Sequence, residues 1–150
     1  MTTSQTNATR VETKIADMFA TRAAAMRNGD ADALVADYVP GAVRYNLDPP
    51  LQHIGADADW LRGWFAKFDG AVDFEVRDLK VTANEGIAFC HSLNRMTATP
   101  LGAPESFTMW FRATYALQHT GGKWRIVHEH ESTPFYMDGS FLAATDLLPD

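Results

Sequence analysis

The feature that most constrains this chain is a change of hydrophobic period near residue 71. Before it, apolar residues recur every three or four positions; after it, they alternate with polar ones as far as Thr133. Alternation sustained over that length means strands, enough of them to make a sheet. Inside the first alternating run the phase flips. Val72, Phe74 and Val76 carry the pattern, and then Leu79 and Val81 carry it. With a side-chain period of two, such a flip needs an extra residue, a β-bulge, which bends the strand. Turns at Asn84-Glu85-Gly86 and Thr120-Gly121-Gly122, with a loop from Pro100 to Pro104, divide the rest into strands over 87–99, 106–119 and 123–133.

Helices precede this sheet. Ile15, Met18, Phe19, Ala23 and Met26 predict a helix over 11–28, stopped by Asn28-Gly29. Asp30 caps a second over 30–38, with Leu34, Val35 and Tyr38 on its apolar side, and Pro40-Gly41 breaks it. A short strand over 42–47 ends at Asp48-Pro49-Pro50. A third helix over 56–68 presents Trp60, Leu61, Trp64, Phe65 and Phe68. A last short helix is expected in 134–150, with Ser140 as its cap. Residues 1–10, rich in Thr, Ser and Asn, are expected to form a flexible tail, leaving 11–150 as one domain. Helices that segregate ahead of a bent antiparallel sheet define an α+β fold.

Charge and cysteine content narrow the function classes. Thirteen basic against nineteen acidic side chains give a formal charge of −6, with no Lys/Arg cluster to meet a phosphate backbone, so no nucleic acid is expected as a partner. The lone cysteine, Cys90, has no intrachain partner and reads as a small buried hydrophobe; a reducing cytoplasm suits it. No apolar run reaches the ~20 residues of a membrane span, and the first residues lack the apolar stretch of a secretion leader. No glycine-rich phosphate loop is present, so no organic cofactor is expected.

The hairpin register decides which side chains turn inward. On strand 106–119, Phe107, Met109, Phe111, Ala113, Tyr115 and Leu117 form one apolar row. If His119 pairs with Trp124, that row shares a face with Trp124, Ile126, His128 and His130, while Arg112 falls opposite Glu131 on the outer face. A one-residue bulge would instead bring Arg112 beside the two histidines, as a clamp for a carboxylate or enolate. The first register is preferred because the apolar row needs a core. His128 and His130, two apart on one strand, point the same way. Acid/base chemistry, metal chelation with His91 as a third ligand, and a structural role all fit them; no carboxylate or Cys completes a ligand set, so no metal is expected.

The Asp48-Pro49-Pro50-Leu51 turn before an aromatic helix, and the closing run from Gly122-Lys123-Trp124 through His128-Glu129-His130-Glu131-Ser132-Thr133-Pro134-Phe135, resemble the SnoaL-like proteins of the nuclear-transport-factor-2-like superfamily. The resemblance spans roughly residues 11–148. It implies a cone-shaped, strongly bent antiparallel sheet, wrapped by three helices around a central cavity, and a homodimer. It further implies that Tyr38, Tyr45, Asn46 and His53 border the cavity, where a tyrosine hydroxyl can donate to a developing oxyanion. Counted without gaps from Tyr38, the position matching the general base of ketosteroid isomerase carries Asn46; Asp48 matches it only after a two-residue shift.

The expected site therefore has His128, His130, Tyr45 and Asp48 as catalytic candidates. Tyr38, Asn46, His53, Trp60, Trp64, Phe89, His91, Met109, Phe111 and Tyr115 are expected to contact substrate. The implied activity is binding of a small, largely apolar carbonyl compound, with isomerisation, cyclisation or dehydration. The alternative is a non-catalytic dimeric ligand-binding or association module. The association domain of calcium/calmodulin-dependent protein kinase resembles this hairpin, but has arginines where Tyr115 and Glu131 stand here.

Overall fold

The computed structural model describes residues 3–150. Helix α1 spans Thr3–Asn28, α2 spans Ala31–Ala36 and α3 spans Ala58–Phe65. Six strands complete the fold: β1 (Tyr38–Tyr45), β2 (His53–Ile54), β3 (Asp73–Ala83), β4 (Ile87–Ala98), β5 (Phe107–Thr120) and β6 (Lys123–Ser132). They form one open sheet in the order β2-β1-β6-β5-β4-β3. Helix α1 packs on β3, and α2 contacts both other helices.

The helix expected over 11–28 begins at Thr3, so most of the stretch expected to be a flexible tail is helical. Two threonine hydroxyls bond back within these turns, Thr9 to the Gln5 carbonyl and Thr13 to the Thr9 carbonyl, each at 3.0 Å. Gly29, at φ +63°, ends the helix in the left-handed conformation that costs glycine least. Asp30 caps α2 by accepting from the Ala33 amide at 3.0 Å.

The sheet is mixed rather than antiparallel. β1 runs parallel to β6, with Arg44 beside Glu129 and Tyr45 beside His130, while every other pairing is antiparallel. Tyr38, expected to close the second helix, instead opens β1, and Pro40-Gly41 falls within that strand as an irregularity between Tyr38 and Val43. The bulge read from the phase flip in β3 is present between Arg77 and Lys80, with Asp78 at φ +55°. The expected C-terminal helix is absent among the described residues. Phe135 bridges Ala143, Gly139 and Phe141 take φ +91° and +54°, and the Ser140 hydroxyl donates to Asp138 at 2.6 Å instead of capping.

Two apolar clusters hold the sheet to the helices. Ile15 and Phe19 of α1 pack on Cys90, Ala113, Tyr115, Leu117 and Ile126; Val72, Met96, Ala98 and Phe111 pack under Trp64, Phe65 and Phe68. Cys90 is fully buried and burial pushes its thiol up to about 12, so it packs as a hydrophobe and is no nucleophile.

Candidate functional site

A second bulge fixes the site. His119 pairs with Trp124, Gln118 with Arg125 and Leu117 with Ile126, but Ala116 pairs with His128, leaving Val127 over. Beyond Val127 every side chain of β6 changes face. Trp124 and Ile126 face the core as expected, while Glu129 and Glu131 turn inward and His128 and His130 turn out. The register with a bulge is thus the one present. It sets Arg112 opposite Ser132, bonded Nε to Oγ at 3.0 Å, on the outer face with the histidines.

The inward side chains enclose a hollow of about 280 Å³ between sheet and helices. Its walls are mostly apolar, with Phe19 and Met26 from α1, Trp60 and Trp64 from α3, and Met109 and Phe111 from β5 prominent among them. One end is polar. There Arg22, Tyr38, Arg44, Asn46, Asp48, Asp57, Tyr115, Glu129 and Glu131 border the space.

Of the expected residues, Tyr38, Asn46, Asp48, Trp60, Trp64, Met109, Phe111 and Tyr115 meet in this hollow. His128, His130, Tyr45, Phe89 and His91 do not reach it. Tyr45 lies on the outer face, edge-on to His128 at 4.9 Å and to His130 at 5.3 Å between ring centroids. His128 Nδ1 is bonded to the Val43 carbonyl at 2.8 Å. Phe89 and His91 pair with Ala116 and Thr114, which pair in turn with the two histidines, so all share the outer face. His53 packs its ring 5.5 Å from Trp60, outside the lining, with a buried Nε2 that has no partner among the described residues.

Apart from Tyr38, the network at the polar end is built around residues the periodicity did not single out. Arg22, buried on α1, donates from Nη1 to Asp37 and to the Leu34 carbonyl, both at 2.9 Å, and from Nη2 to the Tyr38 hydroxyl at 3.0 Å. Tyr38 donates onward to Glu129 Oε2 at 2.5 Å. Arg44 bonds the Gly55 carbonyl at 2.8 Å and stacks over the Tyr38 and Trp60 rings. Asp57 is committed to capping α3, accepting from Asp59 at 2.7 Å and Trp60 at 3.0 Å. Arg22 occupies the apolar stripe of α1, three residues after Phe19 and four before Met26, and a charge in that stripe was the available signal. Glu129 and Glu131 alternate with the histidines, so only the bulge decides between them.

Electrostatics single out Glu131. Burial, then the negative charge of Glu129 and a side-chain hydrogen bond with it, hold its carboxyl well above the usual carboxylate range; Arg44 opposes this and Asp48 adds to it. Burial raises the hydroxyls of Tyr38 and Tyr115, with Glu129 adding to both. Burial works against the Arg22 cation, but the negative charge of Glu129 and the hydrogen bond to Asp37 favour it, and its charge is held. The site thus sets Glu131, its carboxyl held above the usual range, beside Glu129, which accepts the Tyr38 hydroxyl. Among the described residues no group of three His, Cys, Asp or Glu is placed to hold a metal ion, and no helix is long and apolar enough to cross a membrane.

The fold has close structural relatives. An NTF2-like protein of unknown function from Pseudomonas putida KT2440 is 29% identical, with a TM-score of 0.82 over 94% of this chain and 98% of that one. A candidate scytalone dehydratase from Novosphingobium aromaticivorans DSM 12444 shares 14% identity at a TM-score of 0.71, covering 81% of this chain and 83% of its own. A ketosteroid isomerase-like protein from Erwinia carotovora atroseptica SCRI1043 shares 18% at 0.64, covering 80% and 93%. These last two likenesses are of fold alone. No curated protein matches the sequence. The SnoaL-like domain family matches residues 15–136, and the chain belongs to that family, within the NTF2-like superfamily.

Proposed function

We propose that the chain binds a small, largely apolar carbonyl compound in this hollow and performs acid/base chemistry on it: isomerisation, cyclisation or dehydration. The observation that carries this reading is an aromatic-lined space bordered by Glu131, a carboxyl held well above the usual carboxylate range. A neutral carboxylic acid donates a hydrogen bond, and a carbonyl oxygen that gains negative charge during reaction is stabilised by such a donor in a water-poor site. In this reading Glu131 donates to the oxygen, Asp48 at the rim takes the proton from the neighbouring carbon, and Trp60 and Trp64 exclude water. Proton transfer thus falls to the carboxyls and not to His128 or His130, which face away. The hollow suits a compact molecule of one or two rings. A cytoplasmic location suits the lone buried Cys90.

The test is a thermal-shift screen against hydrophobic ketones, phenols and small carboxylates, followed by turnover assays on any class that binds. Ligand at 100 times its dissociation constant adds about 2.7 kcal/mol. Glu131→Gln keeps a neutral donor of the same shape and should still bind, whereas Glu131→Ala removes the donor and turnover should fall about 10²- to 10³-fold. Unchanged turnover in Glu131→Ala would remove this carboxyl from the mechanism.

A second reading, a homodimeric association module, is supported by the outer sheet face, which carries Tyr45, Phe89, His91, His128 and His130, with Phe89 50% exposed. A dimer that dissociates when this face is charged, together with silence across the ligand panel, would favour it.

A further inference from the structure

Glu129 and Glu131 both turn into the hollow from β6, two residues apart, so their Cα atoms are about 7 Å apart by strand rise. Two carboxyls this close in a buried site do not ionise together readily; one keeps a proton. A symmetric pair would share that proton between both positions. This pair is not symmetric. Glu129 accepts the Tyr38 hydroxyl at 2.5 Å, and the Tyr38 oxygen accepts Arg22 Nη2 at 3.0 Å. Asp37 and the Leu34 carbonyl pin the guanidinium. Among the described residues no hydroxyl or cation donates to Glu131.

We propose that the Arg22–Tyr38–Glu129 chain decides which of the two carboxyls holds the proton, keeping Glu129 ionised and reserving the proton for Glu131. A donor that is itself polarised by a cation strengthens its bond to an anion, so the chain stabilises charge at Glu129 selectively. The other groups facing the pair do not reverse the choice. Arg44, paired across from Glu129 on β1, attracts negative charge; Asp48 beyond β1 and Asp57 before α3 repel it. Asp37 after α2 is spent on Arg22, and Tyr115 of β5 is a neutral hydroxyl. Tyr38 is therefore a positioning residue. Its proton is committed to Glu129 and an oxygen lone pair to Arg22, so it is not the donor to a ligand. The inference rests on the proposed function only for what the acid is used for; the proton's location is independent of it.

The experiment is a ligand-free pH titration of the full chain carrying ¹³C-carboxyl glutamate, followed by NMR, with Glu129→Gln and Glu131→Gln assigning the signals. In the unmodified chain Glu131 should titrate above the ordinary range. Tyr38→Phe removes only the hydroxyl. The Glu131 midpoint should then fall, because Glu129 without its donor competes for the proton. Glu129→Gln removes the charge directly, keeps an acceptor for Tyr38, and should also lower Glu131, which covers the case of a poorly folded Tyr38→Phe. Midpoints unmoved in either folded variant would overturn the proposal. If the midpoints move as expected but no ligand binds, the proton selector stands and the proposed function fails.

Discussion

Tyr38 and Glu129, 91 positions apart in sequence, are joined by a 2.5 Å hydrogen bond that ties the start of β1 to the inward face of β6. The bond exists because β1 runs parallel to β6 and because Arg22 holds the Tyr38 oxygen from the helix above. Arg22 is only 8% exposed, and its charge is met inside the fold by Asp37, the Leu34 carbonyl and the Tyr38 hydroxyl together. Arg22→Leu should therefore cost about 3 kcal/mol, because Glu129 and Asp37 would be left without their cation. Urea unfolding would measure the loss, and a loss below about 1 kcal/mol would show that the network contributes little.

Glu131 gives the stability a pH dependence of definite sign. Its folded carboxyl binds a proton at pH values where the unfolded chain, near the ordinary value of about 4.3, has released it. The folded state holds more protons in that window, so this contribution is fully present below the unfolded value and is lost as pH rises through the folded one. Glu131→Gln cannot ionise and lacks this slope. Its melting temperature should match that of the unmodified chain near pH 4 and move above it as pH rises. Parallel melting curves for the two chains at every pH would contradict a Glu131 carboxyl held above the ordinary range.

Much of this architecture was legible in the sequence. The phase flip between Val76 and Leu79 located the bulge in β3 because apolar residues mark both phases there. The bulge at Val127 was not legible in the same way. Ile126, Val127 and the residues after them mix apolar, aromatic-like and charged side chains, so both phases read plausibly, and the choice moved His128 and His130 out and Glu129 and Glu131 in. Tyr38 was read as helical from its spacing to Leu34, yet pairing with Ile126 draws it into a strand. The parallel β1–β6 contact is a long-range pairing that no local pattern announces. The apolar wall was legible at Trp60, Trp64, Met109, Phe111 and Tyr115, whereas Phe89, read into the same wall, faces outward.

The outward histidines should be dispensable for the hollow. His130 is exposed, so His130→Ala should change stability by no more than about 0.5 kcal/mol and leave cavity binding unchanged. His128→Ala should cost about 1 kcal/mol, because its Nδ1 bond to the Val43 carbonyl is lost. Chemical denaturation and a binding titration check both. Selective loss of binding in His130→Ala would return the histidine to the site.

Asp78 carries the strain of the bend in β3. Its φ of +55° costs an ordinary side chain roughly 1–2 kcal/mol, and a β-branched one suits it least. Asp78→Gly should be neutral or slightly stabilising, while Asp78→Val should lose about 1–2 kcal/mol. Thermal unfolding of the pair distinguishes them, and equal stability would mean that the bend does not depend on this residue.

The most direct test of the account is the thermal shift of the purified chain and of Glu131→Ala against one- and two-ring ketones and phenols. The account predicts that at least one class raises the melting temperature of the unmodified chain, and that Glu131→Ala loses that shift while remaining folded. A panel without effect on either protein, or an equal shift in both, would contradict a carbonyl site built on Glu131.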